Sequence, residues 1–122
     1  MSKKLLIILA NSDPDNAEEV GAPLFQATVA AAMSHDVEIV ITGHSGRLAT
    51  VGHAEKLEIN HDTHRTIYEV IQEAHKAGVV FKVCAPTMEI WAETLIPEID
   101  ESVGAAYVVS EAMDADTVTF TY

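Results

Sequence analysis

The chain has 122 residues, of which 48% are hydrophobic, and its formal net charge at pH 7 is −12. This length predicts one domain over residues 1–122, and the apolar content argues against intrinsic disorder. The acidic balance argues against nucleic acid or an anionic membrane surface as a partner, and no apolar run approaches the ~20 residues of a membrane-spanning helix. One cysteine cannot form an internal disulfide, so we expect a cytoplasmic protein.

The amino-terminal quarter of the chain predicts a strand followed by a helix. Residues 5–10 form a continuous apolar run, which is typical of a central parallel strand and too short for a signal peptide. Turn-forming residues follow, and Asp15 with Glu18 three positions later predicts a capping box. Apolar residues then recur at helical spacing over residues 17–31, where Pro23 predicts a kink or a later helix start.

The middle of the chain predicts a second strand at residues 37–41 and a clear helix at residues 63–77. Gly78 directly follows that helix, as expected of a residue that ends one. Residues 44–60, between the two elements, are rich in histidine and glycine. They predict a loop that contains a short helix near residues 54–57.

The last third of the chain begins with a third apolar strand at residues 79–84. Pro86 breaks this strand and suits the first turn of a new helix, which we expect to run through Trp91 towards Leu95. The remaining predicted elements are a short strand, a helix and a half-buried edge strand, at residues 99–103, 105–113 and 117–122.

The alternation of strands and helices predicts an α/β fold with three layers. We expect a flavodoxin-like, mostly parallel sheet with helices on both faces and the first strand in the centre. Ligands of such sheets bind outside the carboxyl ends of the strands, at the point where the strand order reverses. The loops at residues 11–15 and 84–87 would then be neighbours.

Cys84 is the candidate site residue, because it ends the third strand and directly precedes a predicted helix. Unpaired N–H groups at a helix start favour an anion, and the thiolate is the form of cysteine that attacks sulfur. The alternative is a small, buried and inert core residue. The pattern alone leaves both interpretations open.

Four segments carry a resemblance to a known family. They are the Asn-Ser-Asp-Pro loop at residues 11–14, the Pro-Leu-Phe-Gln-Ala segment at 23–27, the strand and glycine at 37–43, and residues 77–84, which end in the cysteine. Together they resemble the DsrE/DsrF-like sulfur-relay family, which includes the Tus-type subunits of tRNA thiolation. The resemblance extends over most of the chain, and residues 78–84 are its most specific part.

The resemblance implies a flavodoxin-like fold in small cytoplasmic subunits that assemble into homo-oligomers, as trimers or hexamers. It implies that Cys84 accepts sulfane sulfur as a persulfide from a donor protein and passes it to an acceptor protein. Some relatives carry a second cysteine shortly after the first, whereas Ala85, Pro86 and Thr87 follow here. Other relatives lack the cysteine and serve as structural or binding subunits, so a non-catalytic scaffold is the main alternative function.

The six histidines offer a second alternative, a metal or small-ligand site in the histidine-rich segment. His61 and His64 are three residues apart at the predicted helix start, where they would share a face. This spacing is undemanding, so we predict neither a metal nor a cofactor. His44 follows the second strand and would approach Cys84 across the sheet end, or else face solvent. We assign no role to His53.

Overall fold

The computed structural model of the chain describes residues 3–86 and 94–122. The strands of its main sheet are β1 (Lys4–Leu9), β2 (Asp36–Ile41), β5 (Val80–Cys84), β6 (Ile99–Val103) and β7 (Thr117–Thr121). A separate antiparallel hairpin consists of β3 (Glu58–Asn60) and β4 (Arg65–Thr66). The helical elements are α1 (Ala17–Ala32), α2 (Ile67–Lys76) and α3 (Ala105–Ala112), with two 3₁₀ helices, Gly43–Ala49 and Ala54–Lys56.

The main sheet has the order β6-β5-β2-β1-β7, and its neighbouring strands are all parallel. The predicted α/β fold with a mostly parallel sheet is confirmed. The predicted position of the first strand is wrong, because β2 is central and β1 lies between β2 and β7. The chain steps in one direction from β1 to β6, and only the last crossover returns it to the far side of β1.

Both faces of the sheet are covered, which explains the continuous apolar run of β1 and the mostly apolar sequences of β2 and β5. The larger core lies under α1 and α2, where Ile39 and Phe81 are fully buried. Burying a side chain of this size contributes about 2–3 kcal/mol. The smaller core lies under α3 and contains Leu6, Val40 and Val103. None of the residues of α3 is itself fully buried.

The start of α1 is set by Asn16 rather than by the predicted Asp15. The Asn16 side chain accepts hydrogen bonds from the backbone N–H groups of Glu18 and Glu19, at 3.1 and 3.2 Å. The helix begins at Ala17 and continues through the buried Pro23. An N–H at position 23 would bond to the Glu19 carbonyl, so Pro23 leaves one hydrogen bond of the helix unmade without ending it.

The helix predicted at residues 63–77 begins later, at Ile67. Thr66 caps it by accepting a hydrogen bond from the backbone N–H of Glu69 at 3.3 Å. The preceding residues belong to the β3–β4 hairpin, whose turn contains His64 with a left-handed φ of 55°. This backbone conformation is incompatible with an α-helix. The short helix expected near residues 54–57 is confirmed as the 3₁₀ helix Ala54–Lys56.

The predicted helix through Trp91 lies for the most part outside the described residues. Leu95, at its expected end, instead forms an antiparallel bridge with Thr50. The strand at residues 99–103 is confirmed, as are the helix and the edge strand that follow it. Among the described residues, no helix has the length and apolar character needed to cross a membrane.

Candidate functional site

Cys84 is the last residue of β5, and its side chain is partly exposed as a free thiol. The three residues before it are buried. Ala85 and Pro86 are exposed, and helical backbone begins at Ala85. The cysteine therefore lies at the carboxyl edge of the sheet, between the buried residues of β5 and the exposed residues that follow the strand.

The position of Cys84 in the sheet places its side chain on the face that α3 covers. Side chains alternate along a strand, so Cys84 shares a face with Lys82. Its Cα partner in β6 is Val103, which packs in the core under α3. Helix α3 begins at Ala105, two residues after Val103. The thiol thus lies on the strand next to the one that leads into α3.

The start of α3 leaves space at this edge. Gly104 is the N-cap residue, without a side-chain cap, and a Cβ added to it would meet no atom within 4 Å. Ala105 and Ala106 are small and exposed. Peptide N–H groups at a helix start are unpaired and favour a nearby negative charge. The start of α3 therefore favours an anion at the same edge of the sheet at which Cys84 lies.

A charged cluster lies deeper on the same face. Glu38 of β2 is buried, and its carboxylate is 3.0 Å from Nζ of Lys82 and 2.6 Å from Nζ of Lys4. The Tyr107 hydroxyl donates to Glu38 Oε1 at 2.7 Å and accepts from Lys82 Nζ at 2.5 Å. Lys82 also pairs with Glu101 at 3.0 Å.

The pKa values in this cluster follow from its pairings. Burial alone would raise the pKa of Glu38, but hydrogen bonds from Lys4, Tyr107 and Lys82 hold it below the ordinary value of 4.5. Burial alone would lower the pKa of Lys82, but its bonds with Tyr107, Glu101 and Glu38 raise it above 10.5. Each charge is therefore compensated, and Lys82 does not supply a free positive charge to Cys84.

Sequence reasoning missed this cluster, although a signal was present. Glu38 and Lys82 are charged residues inside two runs that otherwise read as buried strands. Opposite charges in two buried strands indicate a pair, because an isolated buried charge is strongly unfavourable. Tyr107 carried no such signal in a helix of small and apolar residues.

His44 is exposed after β2. Among residues 3–86 and 94–122, no hydrogen bond joins its ring to Cys84. The loops at residues 11–15 and after Cys84 are not on adjacent strands, because β2 lies between β1 and β5. The strand order therefore does not support the prediction that these loops are neighbours, and residue 87, the end of the second loop, lies outside the described residues.

The loop after β1 is held by two residues of the histidine-rich segment. The buried Ser45 hydroxyl donates to the Ser12 carbonyl at 2.8 Å. Nε2 of His53 donates to the Pro14 carbonyl at 2.8 Å and lies 3.2 Å from Asp15 Oδ1. A carbonyl only accepts, so the His53 proton is on Nε2. Sequence reasoning assigned no role to His53, and a single loop histidine gave no signal for one.

His61 and His64 lie in the hairpin turn rather than at a helix start. Both are exposed and contact the carboxylate of Glu58, with Nδ1–oxygen distances of 3.8 and 2.7 Å. Within the described part of the chain, no group of three or more His, Cys, Asp or Glu side chains has an arrangement that could hold a metal ion.

Comparison with known proteins identifies relatives of this fold. The model of the DsrE/DsrF-like family matches residues 4–115. Among solved structures, the ychN protein from E. coli matches with a TM-score of 0.77 and 17% identity. The protein of unknown function MTH1491 from Methanobacterium thermoautotrophicum matches with a TM-score of 0.72 and 12% identity. Each comparison covers 100% of both chains.

A third structure, the conserved protein of unknown function BT1422 from Bacteroides thetaiotaomicron, matches with a TM-score of 0.67 and 16% identity. This match covers 98% of the present chain and 95% of the other. No curated protein matches the sequence. At these identities, the solved structures establish the fold alone.

Proposed function

Because this chain belongs to the DsrE/DsrF-like family, which is associated with sulfur relay, we propose that it is a cytoplasmic sulfur carrier, a sulfurtransferase subunit. Cys84 accepts sulfane sulfur as a persulfide and passes it to a partner protein. The observation that carries the proposal is the partly exposed thiol at the carboxyl end of β5, beside the open start of α3. A fully buried thiol would be out of reach of a protein donor.

The proposed transfer is a pair of thiol exchange steps without net oxidation. The Cys84 thiolate attacks the outer sulfur of a donor persulfide, forming a new S–S bond while the donor's own S–S bond breaks. The donor leaves as a thiolate, and Cys84 carries the persulfide. An acceptor thiolate then attacks the outer sulfur, which returns Cys84 to its thiolate form.

The single cysteine makes a partner part of this mechanism. No second thiol in the chain can resolve the persulfide, because Cys84 is the only cysteine. Both the donor and the acceptor must therefore approach the carboxyl edge of β5. The start of the helix at this edge consists of small, exposed residues, Gly104, Ala105 and Ala106, which suits such an approach.

Intact mass spectrometry after exposure to sodium polysulfide tests the proposal. We expect the wild type to gain whole sulfur atoms that a reductant removes, and Cys84→Ser to gain none. A gain in Cys84→Ser would contradict the assignment of the acceptor.

A relocated thiol provides the matched control. The double variant Cys84→Ser with Ser110→Cys moves the single cysteine to an exposed position on α3. We expect it to load sulfur more slowly than the wild type, because it lacks the setting at the end of β5. Equal loading rates would mean that any exposed thiol serves, which would argue against a dedicated carrier site.

The homo-oligomer that the family resemblance implies, a trimer or hexamer, is supported by an exposed apolar surface. Four residues that are 39–63% exposed line a groove of about 450 Å³ with Leu5. They are Phe25 and Val29 of α1, Met33 at the end of that helix, and Phe120 of β7. Surfaces of this kind mark contacts with other proteins. The same groove also favours the alternative function, a non-catalytic binding subunit, for which Cys84 would take up no sulfur.

A further inference from the structure

A second pocket concentrates positive charge in this acidic chain. The sequence has 7 Lys and Arg residues against 19 Asp and Glu residues. Nevertheless, the described residues that line one cavity of about 480 Å³ include Arg47, Lys56 and His53 and one acidic residue, Asp15. The segment that contributes the cationic residues, between β2 and β3, was the least interpretable part of the sequence.

The cavity lies at the edge of the sheet where open α/β folds bind ligands. Asp15 belongs to the loop that follows β1, and the other charged residues belong to the connection that follows β2. Both segments leave the carboxyl ends of neighbouring parallel strands. The cavity volume falls within the range of small-molecule sites.

Among the described residues that line the pocket, the one acidic residue has a partner of its own. Asp15 Oδ1 lies 3.2 Å from His53 Nε2, whose proton also binds the Pro14 carbonyl. Lys56, in contrast, forms no ion pair with any acidic side chain within residues 3–86 and 94–122, although the chain has an excess of such groups. Its ammonium group therefore remains available to a ligand.

The walls of the pocket are held in place by internal hydrogen bonds. The Thr50 hydroxyl donates to the Arg47 carbonyl at 2.7 Å, and the backbone N–H of Gly52 donates to Glu55 at 2.9 Å. Val51 donates its N–H to the Thr94 carbonyl at 2.9 Å. These contacts fix the backbone that carries the cationic side chains, so a ligand would meet a largely preformed site.

We propose that this pocket binds a tetrahedral oxyanion, either free or as the terminal group of a larger ligand, through Arg47 and Lys56. Guanidinium and ammonium groups form charge-assisted hydrogen bonds with the oxygens of phosphate and related anions. The cavity is larger than one such ion, so it can also admit an organic group. The site is independent of the chemistry proposed for Cys84.

Nuclear magnetic resonance titration of the full chain tests this site, with inorganic phosphate and thiosulfate at constant ionic strength and chloride as the reference anion. We expect saturable shifts of the Gly52 and His53 amides. Lys56→Gln and Arg47→Gln should each weaken binding about tenfold or more, as for the loss of one charge-assisted hydrogen bond. Lys76→Gln, which removes an exposed charge at the end of α2, should leave the affinity unchanged.

The outcomes separate the sources of the ligand. Tighter binding of phosphate indicates a phosphorylated ligand, whereas tighter binding of thiosulfate indicates a sulfur compound. Absence of saturation, equal shifts with chloride, or equal losses in Lys56→Gln and Lys76→Gln would each overturn the proposal. Sulfur loading of Cys84 is a separate measurement, so either proposal can fail without the other.

Discussion

The Tyr107 hydroxyl of α3 donates to the carboxylate of Glu38 in β2 at 2.7 Å, across 69 positions of sequence. The same oxygen accepts from Lys82 of β5 at 2.5 Å. One side chain thus connects α3 to two strands of the sheet. No residue of α3 is fully buried, so apolar packing holds this helix less strongly than it holds a well-buried one. The polar contacts of Tyr107 therefore account for a larger part of the attachment of α3 to the sheet.

Replacing Tyr107 by phenylalanine removes this connection and keeps the ring. We expect the free energy of unfolding to fall by about 1–3 kcal/mol, because Glu38 loses a donor and Lys82 loses an acceptor in a poorly solvated site. Urea denaturation measures the change. Tyr68→Phe is the control, since the bond from the Tyr68 hydroxyl to Glu98 is longer, at 3.2 Å, and the hydroxyl's other partner, Gln72, is uncharged. A loss in Tyr107→Phe no larger than in the control would contradict this account.

Replacing Glu38 by glutamine should cost more. The change removes the buried carboxylate that Lys4 and Lys82 share, and leaves each lysine with one more exposed partner, Glu111 at 3.2 Å and Glu101 at 3.0 Å. We expect a loss of about 3 kcal/mol, the lower end of the range for breaking a buried ion pair. Glu101→Gln also removes a partner of Lys82, but this carboxylate is 54% exposed, so we expect a loss below about 1 kcal/mol. Chemical denaturation of the two variants should therefore give clearly different midpoints.

The same cluster predicts how stability depends on pH. The folded state holds the pKa of Glu38 below 4.5, so its contribution is complete above pH 4.5 and is lost as the pH falls through the folded value. The folded state raises the pKa of Lys4 and Lys82 above 10.5, so their contribution is complete below pH 10.5 and is lost as the pH rises through the folded values.

Denaturation between pH 3 and pH 7 measures the acidic side of this dependence, starting from the ordinary pKa of 4.5. We expect the stability of the wild type to fall more steeply below that value than the stability of Glu38→Gln, which has no carboxylate to protonate there. Parallel curves for the two proteins would show that other carboxylates cause the acid sensitivity.

Gly21 allows the β3–β4 hairpin to pack closely on α1. A Cβ at this position would lie 2.4 Å from Cδ1 of Ile59. In the wild type, the gain of about 1 kcal/mol in helix propensity from Gly21→Ala should be cancelled by this clash. In an Ile59→Val background, which lacks Cδ1, the same change should stabilise the protein. A double-mutant cycle with no coupling would contradict the packing argument.

The apolar groove of α1 and β7 predicts self-association. Size-exclusion chromatography with light scattering should give a mass above that of a monomer for the wild type. Val29→Glu, at a 58% exposed position in the groove, should produce monomers without loss of stability. Met113→Glu is the matched control, because Met113 is 79% exposed at the end of α3, outside the groove. A monomeric wild type would argue against the proposed assembly.

Local patterns were sufficient to predict the fold class and the placement of Cys84. Apolar runs identified the strands of the sheet that are buried on both faces, and alternation identified the edge strand. Helical spacing of apolar residues identified α1, α2 and α3, which are covered on one face only. The position of Cys84 at a strand end followed from the same run.

What could not be predicted depends on contacts between distant residues. The strand order depends on which edge of the sheet β7 joins after the chain passes through α3. The sequence of α3 contains no local signal that β7 pairs with β1. The hairpin was missed because β4 has only two residues, too few for any period. The pocket of Arg47 and Lys56 forms from a segment whose conformation is fixed by single hydrogen bonds rather than by a pattern.

The pairing of β1 with β7 joins Lys4 to Thr117, near opposite ends of the described chain. Such a contact closes a very long loop. The chain loses the conformational entropy of this closure before the hydrogen bonds between the two strands can stabilise it. The strands β1, β2 and β5 have shorter loops to close and can order first. We therefore expect β7 to join the sheet late in folding and to exchange its amide protons earliest among the strands of the native sheet. Refolding kinetics followed at Phe120 would then report the last step by which the apolar groove is assembled.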